Sequence, residues 1–163
     1  MSTGATGAGG TAAGPDERNQ RYWFHILARP GPEARYLHAA RLAEKAWQQG
    51  DRVGIACDSM EQAQALDELL WSFSPEAFIP HAIVADADTP CTEPVGILLC
   101  PPAPRDWDTV IVLSAELPPE ADHFARLALI AHNDPAMLNQ ARKHYRQLRA
   151  LGITPQVHDQ RKA

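Results

Sequence analysis

Arg142, Arg146 and Arg149 stand four and then three residues apart, so on a helix they share one face, with Tyr145 adjoining and Lys143 adding a further cation. Guanidinium groups grouped in this way hold carboxylates through paired N–H donors. Late in a helix the same charges also complement the macrodipole, an account that needs no ligand. The chain carries a net charge of −5, and three or four cations are too few for strong sequence-independent DNA binding. The chemistry they favour is capture of a short acidic peptide. A second group, Trp71, Phe73, Phe78 and Ile79, runs from the end of a helical stripe into a loop, where large apolar side chains are unusual in number. Two readings compete: the rings fold back to plug an edge of the core, or they form an apolar patch whose aromatic anchors bind a partner.

Residues of catalytic type make no constellation. The chain has no GxxxxGK(S/T) loop, no GxSxG elbow and no HExxH helix. Gly7, Gly9 and Ala12 approach a dinucleotide fingerprint, but no strand pattern precedes them and no helix pattern follows. Asp58 could act as an acid or a ribose ligand, or simply join the cap of the helix beginning near Met60. His81, His132 and Asp134 could be assembled into a metal site on paper, yet no pair has helical ligand spacing. Cys57, Cys91 and Cys100 are odd in number and form no CxxC, so they read as buried thiols of a reducing cytosol. No cofactor and no metal is expected. The alternative that stays open is a small nucleotide-binding α/β enzyme whose site follows no known motif.

The elements that must position these residues follow from patterning. Residues 1–20 are mainly Gly, Ala, Ser and Thr with almost nothing to bury, which predicts a disordered extension. From residue 22 onward, extended and helical patterns alternate. Strands are expected at 22–28 (YWFHILA), 52–57 (RVGIAC), 95–99 (VGILL), 109–113 (TVIVL) and 127–131 (LALIA), with a final edge strand at 153–157. A helix at 33–49 carries Tyr36, Ala39, Leu42, Ala43, Ala46 and Trp47 on one stripe; another starts from a Ser59/Gln62 capping box and buries Ala63, Leu66 and Leu70. Asp134 caps the last helix, with Pro135 in its first turn, Leu138, Ala141, Tyr145 and Leu148 on its stripe, and Gly152 ending it. Residues 72–94 are Pro-rich and irregular, and a short helix is expected within 119–126. Strands alternating with helices imply a Rossmann-like three-layer α/β/α domain with a mainly parallel sheet, spanning 21–158 and followed by a tail at 159–163. With no apolar run long enough to span a membrane and no signal segment, a cytoplasmic protein is expected.

AEKAWQQGDRVGIAC, LDELLW followed by SPEAFIPH, WDTVIVLS and ARKHYRQLRALGI together resemble the chi subunit family of bacterial DNA polymerase III, over about residues 23–157. The resemblance implies a non-catalytic adaptor of the clamp loader that works at the replication fork, meeting DNA mainly through its partners. Two partners follow: the psi subunit, and the acidic, aromatic-ended C-terminal tail of single-stranded DNA-binding protein. It places psi contacts at Trp71, Phe78 and Pro80, where a helicase is a candidate competitor, and tail contacts at Arg142, Tyr145 and Arg146. The family's tail site also draws on a basic residue one turn earlier, where Leu138 and Asn139 stand. Its apolar wall lies near the end of the preceding strand, where this chain has Ile130, Ala131 and His132.

Overall fold

The computed structural model describes residues 15–74, 76 and 78–162. Its elements run α1 (Pro15–Asn19), β1 (Tyr22–Ile26), α2 (Pro32–Gln48), β2 (Val53–Ala56), α3 (Met60–Ser72) and β3 (His81–Val84), then β4 (Val95–Leu98), β5 (Thr109–Val112), β6 (Leu127–Ala131), α4 (Pro135–Ala150) and β7 (Gln156–Asp159). The strands form one seven-stranded sheet in the order β3-β4-β2-β5-β6-β1-β7, with every neighbouring pair parallel. Helices on both faces complete the three-layer α/β/α fold.

Strand composition dictates this arrangement. VGIA, VGIL and TVIV are buried at every position, as strands covered on both faces must be. One core lies between the sheet and α2 with α3, joining Ala39, Ala43, Leu66 and Leu70 to Ile55, Ile97, Ile111 and Ile130. The other lies beneath α4, where Leu148 meets Tyr22, Phe24, Leu127 and Leu129. Farther along that second face the indole of Trp107 covers the sheet in place of a helix. A Cβ on Gly96 would come within 2.6 Å of the ring, and one on Gly54 within 3.1 Å, so both positions must be small. The Arg52 guanidinium lies over the ring at 4.7 Å from its centroid, and its backbone N–H donates to Asp108 Oδ2 at 2.8 Å. The Trp-Asp pair that opens β5 is therefore structural.

Helix ends follow local chemistry. Ser59 Oγ accepts from the Gln62 N–H, while the Gln62 side chain accepts from the Asp58 N–H, a capping box displaced by one residue. Asp134 accepts from the N–H groups of Ala136 and Met137. Gly152 follows α4 with φ at +90°, a conformation costly for any residue bearing a Cβ.

Several sequence expectations are corrected. The stretch read as irregular contains β3, an edge strand of four residues whose signal is hidden between Pro80 and an Asp-rich turn. Of the extension read as disordered, residues 1–14 lie outside the described residues, but Pro15–Asn19 is helical, and Asn19 Oδ1 accepts from the Thr154 N–H at 2.8 Å. The last strand begins at Gln156, because Pro155 has no N–H to pair, so the expected tail starts inside it: Asp159 pairs with Ile26 and a 3-10 turn follows. β1 stops at Ile26, two residues early, and the short helix expected within 119–126 is a 3-10 turn at Ala121–His123. On α2, Tyr36, Leu42 and Trp47 are only partly buried, whereas Arg35 is buried.

On the α2 side of β1, the His25 ring packs 4.8 Å from His38 and 6.1 Å from His158, with Trp23 stacked at 6.0 Å. His25 Nδ1 and His38 Nε2 are buried without hydrogen-bond partners. Burial, followed by the neighbouring His38, His158 and Lys45, lowers His25 from 6.5 to about 4. The unfolded chain takes up this proton near pH 6.5 and the folded chain only near 4, so folding is opposed increasingly as pH falls through that window. The thermal midpoint should therefore drop between these two values, and His25→Phe should flatten the drop in a pH series of melting curves.

Candidate functional site

The LDELLW and FIPH segments fold into one unit at the β3 edge of the sheet. Leu66, Leu70 and Ile79 are fully buried and anchor it. Asp67, one residue off the buried stripe, reaches His81 on β3, with Nε2 3.0 Å from Asp67 Oδ1. The other ring nitrogen, Nδ1, donates to Ile79 O at 2.7 Å. The imidazole so fixed packs against Trp71 at 4.7 Å, and Trp71 meets Phe78 at 5.2 Å, both in tilted geometry. Trp71 nevertheless remains 51 % exposed and Phe78 68 %. Of the four apolar residues in this stretch, Trp71, Phe73, Phe78 and Ile79, only Ile79 is in the core, with Phe73 packed partly against it; Pro80 is half-buried.

The opposite edge carries the basic helix. A groove of about 120 Å³ opens between α4 and the β1–β7 edge, lined by Phe24, Ile26, Leu138, Ala141, Arg142, Tyr145, Val157 and Arg161. Phe24 and Tyr145 form its aromatic floor, with ring centroids 5.9 Å apart. Arg142 sits on the rim, its Nη1 donating to Asn139 Oδ1 at 2.8 Å. Arg146 is exposed and does not line the groove; neither it nor Arg149 has an ion-pair partner among the described residues, whereas Lys143 lies 3.6 Å from Glu116. Ile130, Ala131 and His132 do not line this groove. Side chains alternate along β6, so Ile130 packs beneath α2 on the other face of the sheet. The apolar wall is instead supplied by Phe24 and Ile26 of β1 and by Val157 of β7. Their alternation in YWFHI was readable, but their neighbour across the sheet was not.

The family described as "DNA polymerase III chi subunit, HolC" matches residues 20–156. A protein named DNA polymerase III subunit chi from Pseudomonas aeruginosa is 38 % identical over 135 residues, covering 83 % of this chain and 93 % of the relative. Proteins of the same name from Haemophilus influenzae and Escherichia coli are 35 % and 30 % identical over 115 residues, covering 70 % and 69 % of this chain and 79 % and 76 % of their own lengths. The chain belongs to the DNA polymerase III chi subunit family.

In this chi-family chain the crevice beyond the carboxyl ends of the strands, where parallel α/β domains hold ligands, is filled by protein. Arg35, from the first turns of α2, donates to Ile130 O at 2.7 Å and to Leu113 O at 3.1 Å, bridging β6 and the end of β5. The space left beside it is about 10 Å³, room for at most one water. Asp58 is engaged too, its Oδ2 accepting from the Ala115 N–H at 2.7 Å. Burial pushes the adjacent Cys57 thiol up to about 12, which keeps it protonated near neutral pH. His81 and His132, combined on paper with Asp134, are not brought together: His81 lies on the β3 edge, and His132 follows β6. Among the described residues no helix is long and apolar enough to cross a membrane.

Sequence patterning missed Arg35, because a cation on the buried face of an amphipathic helix runs against the pattern. Arg35→Ala should strip two buried carbonyls of their donor and open a void, costing about 2–4 kcal/mol in urea unfolding. A loss under about 0.5 kcal/mol, the ordinary scatter of surface changes, would contradict this account.

Proposed function

We propose that this chain is a non-catalytic adaptor of the DNA polymerase III holoenzyme, joining the clamp loader, through psi, to the acidic tail of single-stranded DNA-binding protein. The observation that carries the proposal is the pairing of two unlike surfaces on opposite sheet edges: the exposed Trp71–Phe78 stack and the Arg142-rimmed apolar groove. The first suits an apolar partner segment, with Trp71 and Phe78 as anchors and Pro80 beside them. A helicase segment of similar character would compete there. The second suits a peptide that ends in an aromatic residue among carboxylates. The ring enters the floor beside Tyr145 and Phe24, and a carboxylate meets Arg142, with Arg146 adding charge nearby. A single such contact is weak, but many tails on coated DNA raise the local concentration and hold the adaptor at the fork without direct DNA contact. The filled crevice at Arg35 supports a role without catalysis.

The tests separate the two surfaces. Trp71→Ala and Phe78→Ala should each weaken psi binding by about 2 kcal/mol or more, roughly thirtyfold, in calorimetric titration, while the unfolding midpoint in urea stays nearly unchanged. Global unfolding of these variants would mean that the rings hold the fold rather than the partner. Arg142→Ala should weaken binding of an acidic, phenylalanine-ended peptide about five- to tenfold and reduce its salt dependence. Unchanged peptide affinity in that variant would remove the groove from the proposal.

A further inference from the structure

The groove has a second guanidinium that neither the sequence pattern nor the family match reaches, since the match ends at residue 156. Arg161 follows β7 and lines the groove along with Arg142, which belongs to α4. Its orientation is fixed. Nε donates to Asp159 Oδ1 at 3.0 Å and Nη2 to Asp159 Oδ2 at 2.8 Å, while the Arg161 backbone N–H donates to Oδ1 at 3.0 Å. Asp159 is itself held in the sheet, paired with Ile26 of β1. A guanidinium has five N–H donors in a planar fork. The Asp159 carboxylate takes the side formed by Nε and Nη2, leaving both hydrogens of Nη1 and the second hydrogen of Nη2 for another acceptor. The exposed end of the fork thus matches a second carboxylate.

We propose that Arg161 is a second carboxylate-binding residue of this groove, held in position by Asp159, so that the groove receives two acidic groups of one peptide around its Phe24–Tyr145 floor. The proposal rests on the tail-binding reading above and specifies the ligand further. A peptide with one carboxylate engages only one of the two guanidiniums, whereas a peptide with a free C-terminus and a neighbouring aspartate engages both. Arg161 also makes up for the missing cation where Leu138 and Asn139 stand, from a different element of the fold.

The test titrates the full chain with a fluorescent peptide of aspartates ending in phenylalanine, comparing Arg161→Ala, Arg161→Lys and Arg142→Ala with Arg105→Ala. The last removes one exposed cation outside the groove and so reports the effect of net charge alone. Arg161→Ala should weaken binding roughly threefold, Arg161→Lys by less, and Arg105→Ala barely, with melting temperatures unchanged. If Arg161→Ala matches Arg105→Ala while Arg142→Ala weakens binding, the second carboxylate site is wrong and the groove stands. If Arg142→Ala is also without effect, the groove itself is not the tail site.

Discussion

The strands β4, β2 and β5 are buried at every position, so the centre of the sheet answers to one requirement: both of its faces have to be kept from water. Among the described residues only three helices are long enough to do this. α2 and α3 cover one face and α4 covers part of the other, and the rest is closed by smaller means. Trp107, laid over two glycines and backed by Arg52, stands in for a missing helix beside β2 and β4. Arg35 closes the crevice at the strand ends. Both edges stay accessible, the Trp71–Phe78 stack at one and the Arg142-rimmed groove at the other.

The edge at β3 shows how packing turns into presentation. Leu66, Leu70 and Ile79 are consumed by the core, and their burial fixes the backbone that carries their neighbours. The Asp67–His81 contact then sets an imidazole under Trp71, and Trp71 in turn supports Phe78. The exposed rings are therefore held in one arrangement by the packing beneath them, and a surface fixed in this way would lose little ordering entropy on binding a partner. At the other edge the aromatic floor joins β1 to α4, so the groove exists only because strand and helix lie side by side across more than a hundred residues of sequence.

Regular elements were legible in the sequence wherever burial is complete. VGIA, VGIL and TVIV read as strands because nothing polar interrupts them, and LALIA matched its observed boundaries. Ser59, Asp134 and Gly152 marked helix ends through local hydrogen bonding and φ, which need no tertiary knowledge. The β3 strand was hidden because an edge strand needs only part of its surface to be apolar, and His81 and the preceding proline obscured the rest. The exposure of Trp71 and Phe78 could not be chosen from sequence, since the same spacing also fits a plug. That Phe24, Ile26 and Val157 wall the groove was hidden for a related reason: alternation says which residues share a face, but not which helix covers that face. Arg35 and Arg161 escaped notice because each acts through contacts that no local pattern encodes.

The placement of β3 and β7 at opposite ends of the strand order has a mechanical corollary. Six interstrand spacings, about 30 Å in all, separate the two rims, and that distance is held by ladders of backbone hydrogen bonds running the full breadth of the molecule. A load applied at one rim and resisted at the other would pull across those ladders rather than on a flexible loop. The domain is thus built as a stiff strut between its two rims.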